Sequence, residues 1–353
     1  NAKAYLFDLG QLSTKTASPA LTATGLPTNC TVQALHPAAN LIACDTLQTN
    51  SFMGTPVVVD WNLDFRANTA YFGLVGSDAS GAMDDGRVMR LGFNNEAAFS
   101  NWSPLTTFYD TNLPVVAQPV PSIDNRNNHW LFFGTGRYFS TADKTTTDKH
   151  YLYGVKDMED SAYPVEESKL LDVSSVKMYT DGTILPSVAS ITGPALTTFS
   201  ALENEIDSEA LGWRMHLEPI VGLDTDPTTR STTRSALLGG VLLSSVFQPS
   251  SDPCAGEGQS RLFGLYYKTG TAHPSKWILG TTAEQVGSEV KAVSNKSVDL
   301  GQGMATSPSL HSGSGSGSGE VKVLTQLSTG ETPIIDIQTI NKVRSGRTSW
   351  QER

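Results

Sequence analysis

Short apolar runs, each closed by a turn residue, set the strongest limit on what this chain can fold into. Ala4–Asp8, Pro56–Asp60, Thr69–Leu74, Arg87–Phe93, Trp130–Gly134, Tyr151–Val155, Gly212–Leu217, Ala236–Phe247, Arg261–Tyr267 and Val321–Leu327 recur along 353 residues. They are rich in Val, Leu, Phe and Tyr and end on Gly, Asp, Asn or Pro. Runs of this length and punctuation indicate antiparallel β architecture rather than βαβ units. Helix candidates are few. Ser200 with Glu203 reads as a capping box before Leu202, Ile206 and Ala210, which recur on one helical face. Asn94–Ser100 is a second short candidate.

Three pairs of runs look alike: Tyr71-Phe-Gly with Val88–Phe93, Leu131-Phe-Phe-Gly with Tyr151–Gly154, and Val241-Leu-Leu with Leu262–Tyr267. Each pair suits the second and third strands of a four-stranded blade. Their spacing is irregular, which a propeller with insertions accommodates and a regular solenoid does not. The expectation is one all-β domain over 1–353, a modified and incomplete β-propeller with loop insertions and one or two short helices. Residues 312–319, alternating Ser and Gly, cannot bury side chains and read as a flexible loop between strands. Thr228–Arg234 reads as another exposed loop.

Charge and composition exclude several classes. With 25 basic against 35 acidic residues the net charge is −10, which argues against nucleic acid as the main partner. The longest apolar stretch, Ser235–Phe247, is interrupted by Gly239, Gly240, Ser244 and Ser245 and is too short to span a membrane. The six His make no HExxH pattern. There is no GxSxG elbow or phosphate loop, and nothing picks out a pair of glycosidase carboxylates.

Only 17% of residues are charged, below the roughly 25% of ordinary soluble domains. Low charge, abundant Ser, Thr and Gly, and sparse Cys fit an exported protein. Asn1 opens directly on a strand-like run, so the chain reads as a processed or partial product. Cys30 and Cys44 bracket a short loop, and a disulfide between them would contribute about 3 kcal/mol; the alternative is two buried thiols. Cys254 is left over, free or paired outside the chain.

The sharpest chemical signal is Asp60-Trp-Asn62-Leu-Asp64-Phe-Arg66-Ala-Asn68, directly after an apolar strand. Oxygen side chains at positions one, three, five and nine, with the Arg66 carbonyl at position seven, let one tight loop wrap a hard cation such as Ca²⁺. Phe65 stands where such loops carry Gly, and Tyr71 where they carry a bidentate Glu. Only Asp60 and Asp64 bring negative charge, so the expected affinity is weak and suited to millimolar calcium. The alternative is a turn rich in Asp and Asn without metal. The clusters Asp84–Gly86, Asp157–Asp160 and Asp224–Asp226 read as solvated turns. The last twelve residues, basic and containing Trp350, read as a final strand or docked tail.

Four phrases, in this order, resemble the C-terminal region of the PilY-type family of type IV pilus assembly factors and tip adhesins. They are Gly54–Asp60 continuing to Tyr71-Phe-Gly73, Trp130-Leu-Phe-Phe-Gly-Thr-Gly-Arg-Tyr138, Phe247-Gln-Pro-Ser-Ser-Asp-Pro-Cys254 with Arg261–Leu265, and Gly346–Glu352. The resemblance implies a non-enzymatic, calcium-modulated β-propeller at a bacterial pilus tip or cell surface, outside the cell. It would bind minor pilins, the N-terminal region of its own protein, and a surface or host ligand. The family's calcium loop matches Asp60, Asn62, Asp64, Arg66 and Asn68. Two alternatives stand beside it: a quinoprotein-like dehydrogenase, for which Tyr267-Lys-Thr-Gly270 up to Trp277 supplies one docking-type phrase, and a scaffold whose calcium loop is empty.

Overall fold

The computed structural model describes residues 3–6, 29–36, 39–46, 48, 50–93, 102–159, 163–220, 227–250, 258–276, 278–312 and 320–341. Asn94–Ser100, the Asp224–Asp226 cluster, Cys254, Trp277, 313–319 and Lys342–Arg353 lie outside them. The described chain is almost entirely β, in several sheets that form no closed barrel, and its fold is propeller-like. Among the described residues no helix is long and apolar enough to cross a membrane. The chain groups into two compact units, Asn1–His129 with Met158–Glu166, and Trp130–Asp157 with Glu167–Arg353.

In the first unit, β1 (Lys3–Leu6), β2 (Cys30–His36) and β3 (Ala39–Asp45) form a sheet ordered β1-β3-β2. Cys30 lies opposite Cys44 in the β2–β3 register, and the two are joined by a disulfide. A second sheet contains β4 (Phe52–Met53), β5 (Val57–Val59), β6 (Thr69–Val75), β7 (Arg87–Gly92) and β8 (Thr106–Asp110). Its order is β4-β6-β7-β8, with β5 also pairing β6. β9 (Val120–Ile123) follows. Every residue of β6 is buried. Phe72 and Leu74 of β6, Met89 and Leu91 of β7, Leu105, and the half-cystines Cys30 and Cys44 share one core.

The second unit contains β10 (His129–Gly134) from Trp130 onward, β11 (Tyr151–Asp157), β12 (Leu170–Asp172), β13 (Lys177–Tyr179), β14 (Thr183–Val188), β15 (Leu196–Thr198) and β16 (Gly212–His216). It continues with β17 (Ala236–Leu238), β18 (Val241–Gln248), β19 (Gln259–Tyr266), β20 (Thr281–Val286), β21 (Glu289–Ser294) and β22 (Ser297–Gln302). The last strands are β23 (Ser309–Ser312), β24 (Glu320–Leu324) and β25 (Ile334–Gln338). Strand orders are β12-β16-β11-β10, β15-β14-β13-β21-β20, β17-β18-β19-β22 and β23-β24-β25. Nearly all neighbours are antiparallel, but β12 runs parallel to β16.

The three sequence pairs are neighbouring strands: β6 with β7, β10 with β11, and β18 with β19. The first and third occupy the second and third places of a four-strand order. The interrupted apolar stretch Ser235–Phe247 is a hairpin. Leu238 lies opposite Val241, so Gly239 and Gly240 alone make the turn, with φ of 56° and 82°. A two-residue turn with positive φ at both positions matches strand twist, and Gly adopts it without steric cost.

The helix α1 (Phe199–Ser208) forms with Leu202, Ile206 and Ala210 buried, as their spacing predicts. Its cap is Thr198 rather than Ser200. Thr198 is extended, and its hydroxyl accepts the Ala201 N–H at 3.2 Å. Starting earlier places Phe199 in the core. At the other end, buried Lys156 donates from Nζ to the carbonyls of Ile206 and Ala210, groups that a helix end leaves unpaired.

Thr228–Arg234 is not an exposed loop: Thr228, Thr229, Arg230 and Ser231 are buried. The Arg230 guanidinium donates to the carbonyls of Thr228, Arg137 and Asp143 and to the Thr146 hydroxyl, at 2.8–3.2 Å. A planar donor fork surrounded by acceptors can leave water, which a count of polar residues does not reveal. Asp143, buried beside it, accepts from Arg137 Nε at 2.9 Å and from the N–H groups of Phe139 and Ser140. Burial opposes its charge, yet those N–H groups and Arg137 hold its pKa below the usual carboxylate value. Asp157, expected in a solvated turn, is also buried, as the last residue of β11.

Trp213 ties three of these strands to a turn. It lies opposite Gly154 in the β11–β16 register, is fully buried, and donates from Nε1 to the Tyr267 carbonyl at 2.9 Å. A Cβ at Gly154 would lie 2.6 Å from the indole, and one at Gly270 would overlap it. Gly270 also has φ +67°. Gly270→Ala therefore adds both left-handed strain and a clash, and should destabilise the protein by about 2–4 kcal/mol. Urea denaturation followed by circular dichroism checks this; an unchanged midpoint would show that the indole is not seated on this turn.

Candidate metal centre

The loop of residues 60–68 joins β5 to β6, whose register sets Val59 opposite Thr69. Asn68 closes its base. The Asn68 N–H donates to Val59 O at 2.8 Å, its carbonyl accepts from Phe93 N at 2.7 Å, and its side-chain oxygen accepts the Trp61 N–H. Trp61 is buried and stacks on His129, with ring centroids 4.3 Å apart and planes 4° from parallel. It also meets the edge of Tyr71. Glu159 approaches His129 Nδ1 at 3.6 Å.

Above this base the oxygens at positions one, three and five turn onto the loop's own backbone. Asp60 accepts from Asp64 N at 3.2 Å and from Phe65 N at 2.8 Å. Asn62 Oδ1 accepts from Asp64 N at 3.3 Å, and Asp64 Oδ1 from Arg66 N at 2.9 Å. Asn62 Nδ2 lies 3.1 Å from Asp64 Oδ2. Three oxygen-bearing side chains thus gather inside one turn, with Leu63 and Phe65 pointing away. Phe65 is fully exposed and Leu63 is 76% exposed.

Leu63 and Phe65 have φ of 58° and 68°. Phe65 occupies the position where the sequence pattern calls for Gly, and its backbone adopts the left-handed conformation that Gly would supply. For a non-glycine residue this costs roughly 1–2 kcal/mol. The loop keeps its path despite the wrong residue, because Asp60 and Asp64 fix the N–H groups on either side.

Asp60, Asn62 and Asp64 fit a hard cation in kind: two carboxylates, one amide, and the Arg66 carbonyl nearby in sequence. Each carboxylate has lone pairs beyond those given to the backbone. Asn68 is set apart from this group, at the loop base. Among the described residues no three His, Cys, Asp or Glu side chains gather into a metal-holding group. The loop's two carboxylates are its only negative charges, beside the cationic Arg66. Of the other acidic stretches, Asp84–Gly86 is not a solvated turn: Asp85 forms a β-bridge with Gly76, Gly86 is buried, and Asp85 accepts from Gln48 Nε2 at 2.9 Å.

The stacking partner His129 escaped the sequence reading. It lies far along the chain, and no spacing rule links a loop aromatic to a later strand. Its place directly before Trp130, at the head of an apolar strand, was the only signal.

Two substitutions should act with opposite signs. Asn68→Ala leaves the Trp61 N–H without its acceptor and should cost about 1–2 kcal/mol. Phe65→Gly removes left-handed strain and should stabilise by about 1 kcal/mol. Thermal unfolding of both variants beside the parent decides; a destabilised Phe65→Gly would mean that its backbone is not left-handed.

No protein-family model matches the chain, and no curated protein matches it. Among solved structures the chain is similar to the crystal structure of the Pseudomonas aeruginosa PilY1 C-terminal domain. Sequence identity is 15%, the match covers 87% of this chain and 71% of that one, and the TM-score is 0.53. At that identity the likeness speaks for the fold, and the chain has the fold of a PilY1-type C-terminal domain.

Proposed function

We propose that this chain is the C-terminal propeller of a PilY-type protein: a non-enzymatic, calcium-modulated factor of the type IV pilus, displayed at the pilus tip or cell surface outside the cell. The observation that carries the reading is the Asp60–Asn68 loop, set in a fold shared with the PilY1 C-terminal domain. Its side chains at positions one, three and five converge. Asp60, Asn62 and Asp64 would hold Ca²⁺, with the Arg66 carbonyl as a further ligand and Asn68 keeping the loop closed. The ion supplies two positive charges that offset the two carboxylates and cross-link the ends of the turn. With two charges and no bidentate Glu, binding falls in the weak, extracellular range. The docking-type phrase that suggested a quinoprotein has a structural use, since Gly270 seats the Trp213 indole.

Calorimetry in millimolar calcium tests the site. The parent should release or absorb heat and gain thermal stability, while Asp64→Ala should do neither and keep its β circular dichroism. Absence of heat from the parent would reject the site.

Minor pilins, or an upstream segment of the same protein, would bind through a strand edge, and a separate surface ligand would bind elsewhere. β20 and β25 are the outer strands of their sheets. An outer strand offers a row of N–H and C=O groups that another chain's strand can pair. Hydrogen exchange with and without a minor pilin should show new protection along one outer strand. Protection confined to loops would exclude strand addition.

A further inference from the structure

In the second unit an open cavity of about 380 Å³ lies between β13, the β20–β21 hairpin and the Asn295–Ser297 turn that opens β22. Its size falls in the range of small-ligand sites. Three charged side chains line it: Lys177, Glu284 and Lys296. Lys177 and Glu284 pair at 2.5 Å, and Glu284 also accepts from the Tyr179 hydroxyl at 3.5 Å. That carboxylate is therefore occupied.

Lys296 is different. Its ammonium donates to the Ser174 carbonyl at 2.8 Å, and among the described residues no carboxylate lies within 4.0 Å of it. An ammonium has three donors, so two remain. Burial pushes the Lys296 pKa down, with Glu218 opposing and Arg261 and Lys177 adding to the fall. A partly desolvated cation with no carboxylate in ion-pair contact is costly, and an anion that enters offsets that cost. The lining thus carries one net positive charge, on a chain whose total is −10.

Two other polar groups of the wall are already engaged, while the buried Ser294 hydroxyl, also on the wall, has no hydrogen-bond partner. The Thr282 hydroxyl donates to Asn295 Oδ1 at 3.1 Å, and Asn295 Nδ2 donates to Leu279 O at 3.3 Å. Val176, Ala272 and Val293 supply apolar lining. One spare cation beside an apolar wall selects a ligand with one negative end and a short apolar body.

We propose that this cavity binds a carboxylate carried on a small apolar body, with Lys296 as its charge partner. The carboxylate could be that of a free acid or of a peptide chain end; both present the same group to Lys296. The proposal is independent of the calcium loop.

The test is titration of the whole chain with isovalerate, its neutral isostere isovaleramide, sodium sulfate, and acetyl-Gly-Val as the acid and as the amide. Calorimetry or amide chemical shifts give the readout. Isovalerate should bind, isovaleramide should not, and Lys296→Met should weaken isovalerate by about tenfold or more. Glu284→Gln removes the only lining carboxylate and should tighten isovalerate, which keeps the test decisive if Lys296→Met fails to fold. Binding of the peptide acid but not its amide, alongside isovalerate, assigns the natural ligand to a chain end; binding of isovalerate alone assigns it to a free acid. Equal binding of isovaleramide, displacement by sulfate at equal concentration, or no isovalerate binding to the parent would each overturn the proposal.

Discussion

The indole of Trp213, held between two glycines, is the contact on which the second unit's packing turns. Gly154 lets the ring lie flat over β11, and Gly270 brings the turn after β19 up to its other side. The Nε1–H finds the Tyr267 carbonyl, so this fully buried side chain leaves no polar atom unpaired. Phe132 and Tyr267 extend the cluster, and Trp130 stacks on Phe132. The Lys156 ammonium lies 5.5 Å from the Trp130 ring while capping α1, so the helix is fastened to the same cluster. Lys268, beside the Gly270 turn, adds an ion pair to Asp207 of α1 at 2.9 Å. An aromatic centre therefore fixes strands, turn and helix together.

A second constraint is polar. Arg230, Asp143 and Arg137 form a buried network near fully buried His150. Desolvation first, and then the charge of Arg230, push the His150 pKa down to about 3. The folded state thus requires neutral His150, whereas the unfolded chain protonates it near its ordinary value of 6.5. The stability this represents is complete above pH 6.5 and is lost as pH falls from there toward 3. The Phe-Gly-Thr-Gly-Arg phrase that carries part of the family resemblance belongs here: Arg137 pairs with Asp143, and Gly134 makes room for Ser231. Its residues are packing parts.

The two candidate sites differ in how they are mounted. The 60–68 loop stands on a stacked Trp61–His129 pair and on Asn68, with its polar side chains turned inward and two apolar ones outward. Carboxylates held by backbone N–H groups are pre-positioned, so little ordering is left for an ion to impose. The Lys296 cavity instead has a paired Thr282 and Asn295, an unpartnered Ser294 hydroxyl and one cation with donors to spare. The first site suits a hard cation and the second an anion, on the same acidic chain.

Much of the fold was legible from local pattern. Strand runs, their pairing in three neighbouring pairs and the Asp60–Asp64 alternation all depend on residues close in sequence, where periodicity acts directly; the Gly239-Gly240 turn, inside what read as one run Ala236–Phe247, emerged only with the hairpin. The buried face of α1 was legible too, but its cap was not, because choosing Thr198 over Ser200 depends on whether Phe199 reaches the core. What only tertiary structure decided involves groups brought together from far apart. Arg230 became buried because carbonyls from residues 137 and 143 met its donors, and Trp61 found His129 across the chain. Lys296 donates to the Ser174 carbonyl while Glu284 pairs with Lys177. Sequence fixes which groups are available; solvation and partnership are settled only when distant strands meet, and those two terms determine whether a charge is a structural pin, a metal ligand or an open binding site.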